Sequence, residues 1–131
     1  MSSIFSKIVS GDIPCHKIYE DEFHLAFLDI QPLVMGHVLC IPKKEVDYMF
    51  DLSDDELARL WKFTKPVAEA IRKAVPCKRV GTAGIGLEVP HCHIHLVPLQ
   101  NVGDINFSKE KLHPSASELE EIASRIRSVI Q

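Results

Sequence analysis

The sequence lacks any run of apolar residues that approaches the length needed to cross a bilayer. Its four cysteines include no CxxC pair, which argues against a zinc knuckle and against a CxxC redox centre. The formal net charge is −3 and basic residues form no large patch, so neither nucleic acid nor an acidic membrane is expected as a partner. The start of the chain also lacks the apolar core of a signal peptide. These absences leave a globular domain as the expected class.

The composition is that of an ordinary globular protein with a substantial core. The chain has 131 residues, of which 46% are hydrophobic and 25% charged, so we expect one domain spanning residues 1–131. Cys40 and Cys92 fall within apolar strand patterns and are interpreted as small buried hydrophobic residues. Together with the missing signal peptide, this cysteine usage favours a reducing, cytoplasmic location.

The hydrophobic patterns predict an α+β domain with a five-stranded, mostly antiparallel sheet, a long helix and a C-terminal helix. Ser2 or Ser3 is expected to cap a short first helix that ends at Gly11, and Ser53 opens a capping box. The predicted strands are residues 17–20, 24–28, 37–42, 79–85 and 91–97, and the predicted longer helices are residues 54–75 and 115–130.

The most informative segment is residues 91–97, in which three of the seven histidines alternate with apolar residues. Successive side chains of a strand point to opposite faces, so His91, His93 and His95 are predicted to share one face. Imidazole is the side chain whose ordinary pKa lies nearest neutral pH, and each buried imidazole needs its own hydrogen-bond partner. Three in a row therefore call for a chemical explanation.

Three explanations fit this spacing. The histidines are hydrogen-bonded structural residues; or they bind zinc, with His37 as a further ligand and Glu88 as a base; or a neutral imidazole attacks phosphorus directly. The spacing alone favours nucleophilic catalysis only modestly over zinc, and all three explanations remain open on this ground.

Beyond the spacing, the segment resembles the His-x-His-x-His-apolar-apolar motif of the histidine-triad (HIT) superfamily. Residues 4–14, 19–30 and 36–44 are similar, in order, to the conserved upstream blocks of that family. The resemblance covers about residues 4–98 and is best with the Hint-like branch of purine-nucleoside phosphoramidases and nucleotide hydrolases. Residues 99–131 form a C-terminal extension.

The resemblance implies a separate role for each histidine. His93 is the expected nucleophile, which attacks the α-phosphate and forms a nucleotidyl-histidine intermediate that water then hydrolyses. His95 is expected to hold the phosphate oxygens, while His91 and His37 form the relay that orients the site and helps to protonate the leaving group. A histidine at the third triad position also favours hydrolysis over transfer to a sugar phosphate. No metal or other cofactor is implied.

The resemblance further implies a purine nucleotide as partner: AMP, GMP, an adenosine phosphoramidate or a dinucleotide. Asp29 is the expected acceptor for both ribose hydroxyls. The remaining nucleotide-binding residues are an apolar base pocket and two residues just before the triad: Ile4, Phe5, Ile8, Phe27, Leu28 and Ile30, then Glu88 and Val89. A homodimer is expected through the helix at 54–75 and the strand near 79–85.

The segment just before the triad departs from the Hint pattern. It contains no Asn, Leu87 stands where Gln is expected, and Glu88 lies close to the position of a phosphate-binding Ser. A polar contact to the phosphate or to the leaving group is therefore missing or comes from elsewhere. Because a carboxylate beside an anion repels it, either Glu88 points away or the substrate preference differs. This departure also leaves open a nucleotide-binding module with weak activity. The lysines at 109 and 111 are interpreted as part of a solvated loop.

Overall fold

The computed structural model describes residues 2–130 and contains one antiparallel sheet of five strands. The strand order is β1-β2-β3-β5-β4, and every neighbouring pair is antiparallel, which confirms the predicted α+β class. The elements in chain order are α1 (Ile4–Ser10), β1 (Lys17–Glu20), β2 (His24–Leu28), β3 (Val38–Pro42), α2 (Asp54–Ala74), β4 (Arg79–Ala83), β5 (Ile94–Leu99) and α3 (Ala116–Ser128). Short 3-10 helices occupy Met49–Asp51 and Val102–Ile105.

Serine caps begin all three α-helices, as the sequence predicts for the first two. Ser3 Oγ accepts a hydrogen bond from the Ser6 N–H, whereas Ser53 and Ser115 each form a complete capping box with a glutamate. α1 ends at Gly11, whose φ of 87° is a left-handed conformation that costs glycine little. These local hydrogen bonds fix where the helices start and stop.

The alternation of side chains along β2 and β3 divides the buried residues between two faces of the sheet. α2 and α3 cover one face and form the larger core cluster, which includes Leu28, Cys40, Cys92 and Ile94. α1 covers the other face, where it packs on the smaller core cluster of Phe5, Leu25, Phe27, Leu39 and Ile41. The sheet therefore has a thick side and a thin side.

The strand predicted at 91–97 begins later in the structure, so the predicted start of this strand is wrong. β5 starts at Ile94, so of the three histidines only His95 lies in a strand. The reason is that the Cys92 N–H donates to Val46 O at 2.7 Å, a partner outside the sheet. β4 also ends at Ala83, opposite His95, so it offers no strand partner to the residues that precede His95. β3 likewise begins at Val38, one residue after His37.

Two further observations concern the cysteines and the helices. Cys40 and Cys92 are buried and reduced, which confirms their interpretation as core residues. Burial raises the pKa of Cys40 to about 12 and that of Cys92 to about 11, so both thiols stay protonated. Between residues 2 and 130, no helix is both long and apolar enough to cross a membrane.

Candidate functional site

A cavity of about 460 Å³ opens on the thin side of the sheet. His93, His95 and Asp29 line it, together with Leu39 of β3 and the start of α1 at Ile4 and Phe5. The loop before the triad closes one side, through Ile85, Gly86, Leu87, Glu88 and Val89. The pleat of the sheet places His95 here because it pairs with Leu39, whose side chain points to the same face.

The tautomer of His93 is fixed by a backbone carbonyl. His93 Nδ1 lies 2.8 Å from the carbonyl oxygen of His91, and a carbonyl only accepts hydrogen bonds. Nδ1 therefore carries the proton in the neutral ring, and Nε2 carries the lone pair. Burial is the main cause that lowers the pKa of His93, which keeps this lone pair available near neutral pH. Phe5 holds the ring edge-on with 5.0 Å between ring centroids.

His37 and His95 form a second, directional pair. The Leu33 N–H donates to His37 Nδ1 at 3.1 Å, so the proton of the neutral His37 ring must lie on Nε2. His37 Nε2 lies 2.9 Å from His95 Nδ1 and donates to it. The remaining nitrogen of His95, Nε2, then carries a proton in a ring that lines the cavity. In the same cavity, His95 therefore offers a hydrogen-bond donor at Nε2, whereas His93 offers a lone pair at Nε2.

Burial keeps this pair neutral. The pKa of His37 is lowered to about 4 and that of His95 to about 3, mainly by burial and in smaller part by nearby positive charge that includes Lys111. Asp29 Oδ2 lies 3.8 Å from His37 Nε2. Asp29 itself is mostly buried, and burial raises the pKa of its carboxyl, although its Oδ1 accepts the Gln31 N–H at 2.9 Å.

The ring of His91 is fully buried and faces away from the cavity. Its Nε2 donates to Pro42 O at 2.7 Å, and its Nδ1 accepts from Ser3 Oγ at 2.9 Å. Both ring nitrogens are therefore committed to other parts of the chain. His91 is joined to the cavity residues through its carbonyl oxygen, which accepts from His93 Nδ1 and orients that ring.

The structure brings only part of the predicted base pocket to the cavity. Ile4, Phe5 and Val89 line it, as do Asp29 and Glu88. Phe27 and Ile8 belong to the smaller core cluster behind the cavity wall. Leu28 packs in the larger core cluster on the opposite face of the sheet, and Ile30 is 62% exposed and does not line the cavity.

The C-terminal extension supplies two cavity residues that the sequence analysis missed. Phe107 and Lys111 both line the cavity, and the Phe107 ring lies 4.7 Å from the ring of His95 between centroids. Lys111 lies in a loop, as expected, but its side chain is partly buried and lines the cavity, so the expectation that it is simply solvated is wrong. The only sequence signal was an aromatic residue and a lysine in a segment that matches no family block.

The comparisons with known proteins agree with this geometry. The HIT domain matches residues 10–102, which is most of the chain. The chain belongs to the HIT family. An uncharacterized HIT-like protein of Borreliella burgdorferi is 33% identical over 131 residues, and 94% of each chain is covered. Adenosine 5'-monophosphoramidase hnt1 of Schizosaccharomyces pombe is 42% identical over 102 residues, and 77% of each chain is covered.

A solved structure extends the comparison to the C-terminal segment of this HIT protein. A Zn-bound histidine triad family protein from Mycobacterium smegmatis is 32% identical with a TM-score of 0.85. The match covers 99% of this chain and 94% of that chain. The family fold therefore accounts for the sheet, the helices and the extension together.

One group of side chains in this HIT protein has the composition of a metal site. Within residues 2–130, Asp29, His37 and His95 each offer a ligand atom, and these atoms lie within 4.8 Å of one another. The set differs from the one expected from the sequence, since it contains Asp29 and not His93. His37 Nδ1 already accepts the Leu33 N–H, so a metal would bind His37 at Nε2 and displace the proton that Nε2 donates to His95.

Proposed function

We propose that this HIT protein is a hydrolase that attacks the α-phosphate of a purine nucleotide through Nε2 of His93. The observation that carries the proposal is the hydrogen bond from His93 Nδ1 to the carbonyl oxygen of His91, which leaves Nε2 as the unprotonated nitrogen. A neutral imidazole held in this tautomer is a nucleophile ready for phosphorus. The relative named adenosine 5'-monophosphoramidase supports this class of reaction.

The reaction proceeds in two displacements. The lone pair of His93 Nε2 forms a bond to phosphorus while the bond from phosphorus to the leaving group breaks. The leaving group departs with the bonding electron pair and takes up one proton from solvent. Water then attacks the nucleotidyl-histidine, which breaks the nitrogen–phosphorus bond and gives a nucleoside monophosphate, a proton and the neutral His93. Throughout, His95 Nε2–H donates to the oxygens that gain negative charge.

The nucleotide is oriented by the remaining cavity residues. The carboxylate of Asp29 accepts the two ribose hydroxyls, which are both O–H donors. Ile4, Phe5 and Val89 provide an apolar surface for the base. Such a surface packs against either purine, so AMP, GMP, adenosine phosphoramidates and dinucleotides are all members of the proposed substrate class.

The decisive experiment is to trap the intermediate. Wild-type protein mixed with adenosine 5'-phosphoramidate and quenched rapidly should carry an adenylate adduct, which peptide mass spectrometry assigns to His93. His93→Asn should abolish turnover and the adduct while AMP still binds in calorimetry, and the matched surface variant His113→Asn should leave both unchanged. Full activity in His93→Asn contradicts the proposal. AMP binding without turnover of any phosphoramidate or dinucleotide would indicate a nucleotide-binding module instead.

A zinc hydrolase is the second candidate, because Asp29, His37 and His95 converge within 4.8 Å. We propose that the reaction does not use a metal, since burial keeps both rings neutral and the hydrogen bond between His37 and His95 fixes their tautomers without one. Protein purified without added metal should keep its activity in EDTA. Stoichiometric zinc in elemental analysis, lost together with activity on chelation, would favour the zinc hydrolase.

We also propose a homodimer through α2 and β4. β4 pairs with β5 on one side, and among residues 2–130 no strand pairs with its other side, so that edge is open to a second copy. Trp61, the single tryptophan, is 41% exposed on α2, and we propose that it lies in this interface. Sedimentation should show a dimer, and dilution should shift the tryptophan emission to longer wavelength. A monomer at micromolar concentration contradicts the proposal.

A further inference from the structure

The cavity is short of positive charge for a phosphate site. Two carboxylates line it, those of Asp29 and Glu88, and the loop that carries Glu88 adds only apolar side chains and backbone at positions 85–87. The histidines that line it are neutral at physiological pH because burial lowers their pKa values. A nucleotide phosphate therefore needs a cation from another part of the chain.

Lys111 is the single lysine or arginine among the described residues that line the cavity. The segment that carries it is held at both ends. The Phe107 ring packs against the rings of His95 and His37, with centroids 4.7 Å and 6.3 Å apart. The Leu112 N–H donates to Pro32 O at 2.9 Å, which ties the other end to the turn that follows Asp29. Lys111 is thereby fixed beside the site rather than carried by a loose loop.

The ammonium group of Lys111 is not committed to a carboxylate of the protein. Within residues 2–130, the salt bridges of lysines join Lys17 and Lys43 to Glu20 and Lys44 to Glu56, and none involves Lys111. Its charge nevertheless acts on the site, because it contributes to the lowered pKa values of His37 and His95 and offsets part of the rise that burial causes in the pKa of Asp29. An uncommitted cation close to neutral rings is placed to meet an anion.

We propose that Lys111 binds the nonbridging oxygens of the substrate phosphate and supplies the contact that the segment before the triad lacks. The inference rests on the proposed function, since it assigns the phosphate of a nucleotide to this cavity. Lys111 makes no bond to phosphorus and transfers no proton. Its N–H groups donate to oxygens whose negative charge increases as His93 attacks, so it stabilises the transition state as well as the bound phosphate.

The test compares two ligands that differ only in the phosphate. Calorimetry with AMP and with adenosine is carried out on the wild type, on Lys111→Met and on Lys111→Arg. A charged hydrogen bond to phosphate predicts that Lys111→Met weakens AMP binding about 10- to 100-fold and leaves adenosine binding unchanged. Lys111→Arg retains most of the AMP affinity. The value of kcat/KM for adenosine 5'-phosphoramidate should likewise be highest in the wild type, lower in Lys111→Arg and lowest in Lys111→Met. AMP affinity of the wild type falls more steeply with salt than that of Lys111→Met.

Lys109→Met is the matched control, because Lys109 lies two residues away and does not line the cavity. It should behave as the wild type with both ligands. An unchanged ratio of AMP to adenosine affinity in Lys111→Met overturns the inference, as does a wild type that does not prefer AMP to adenosine. Failure of the proposed function looks different: the wild type prefers AMP and Lys111→Met loses that preference, yet no phosphoramidate is hydrolysed.

Discussion

His37 Nε2 donates a hydrogen bond to His95 Nδ1 across 2.9 Å, and both rings are buried. The direction of this bond follows from the Leu33 N–H, which occupies the other nitrogen of His37. A backbone amide outside the cavity therefore decides that His95 presents an N–H to the cavity. This donor is set by a hydrogen-bond chain, not by the pH of the solution.

Removing His37 should slow the reaction without removing the nucleophile. His37→Asn leaves His95 free to adopt the other tautomer, so the N–H that faces the cavity is present only part of the time. We expect kcat for a phosphoramidate with an amine leaving group to fall about 10²-fold or more. A substrate with a more acidic leaving group should lose a similar factor, because the N–H of His95 stabilises the phosphate oxygens and not the leaving group. His24→Asn, at a buried histidine that does not line the cavity, is the control. A loss confined to the amine leaving group would argue against this role.

The stability of the protein should decrease as the pH falls below about 6.5, the ordinary value for histidine. The pKa of His37 is about 4 in the folded protein, so between these values the unfolded chain binds more protons than the folded one. The sign follows directly, since protonation then favours unfolding. For His37 alone the loss by pH 4 amounts to roughly 3 kcal/mol.

Urea unfolding at several pH values between 7 and 4 measures this dependence. His37→Asn removes one of the titrating groups, so its free energy of unfolding should change less steeply across the window. Identical slopes in the variant and the wild type would show that His37 does not carry the effect.

Ser3 should matter to activity as well as to folding. Ser3→Ala removes the cap of α1 and the partner of His91 Nδ1, so the carbonyl that orients His93 becomes less well fixed. We expect a loss of about 1 kcal/mol in stability and a reduced kcat. Ser115→Ala removes the equivalent cap from α3, and it should cost similar stability with no change in kcat. Equal kinetics in the two variants would contradict the positioning role of Ser3.

The core behind the triad should be sensitive to truncation. Ile94 is completely buried in the larger core cluster, and Ile94→Ala should lower the free energy of unfolding by about 2–5 kcal/mol. Val102 is 88% exposed, and Val102→Ala should change it by no more than about 0.5 kcal/mol. Denaturant titrations with unchanged m-values provide the measurement. A loss below 1 kcal/mol in Ile94→Ala would mean that the core readily closes around the gap.

The sequence predicts the elements well because their signals are local. A serine cap, a capping glutamate and a period of apolar residues lie within a few positions of one another, so Ser53 and Ser115 mark helices without knowledge of the fold. The alternation of apolar and polar residues is also a local signal, and it predicts that Cys92 and Ile94 face away from His93 and His95. The alternation persists even where the backbone leaves the sheet.

The errors concern contacts between distant parts of the chain. The start of β5 at Ile94 depends on the hydrogen bond from Cys92 to Val46, and no local pattern reveals that bond. Lys111 reaches the cavity because Leu112 bonds to Pro32, so its environment cannot be read from its neighbours in sequence. The position of Leu28 in a family motif predicts that it belongs to the base pocket. The pleat of β2 instead turns its side chain to the face of the sheet opposite the cavity.

The unequal thickness of the two sides of the sheet has a consequence for motion. The site lies on the thin side, where a helix of seven residues packs on the smaller core cluster, while the 21-residue α2 covers the other side. Segments with few buried contacts open locally at a small fraction of the global unfolding free energy. Amide hydrogens of α1 should therefore exchange with deuterium faster than those of α2, and a bound nucleotide should slow them. Local opening of this short helix should therefore move the part of the cavity wall formed by Ile4 and Phe5, while the rest of the domain stays folded.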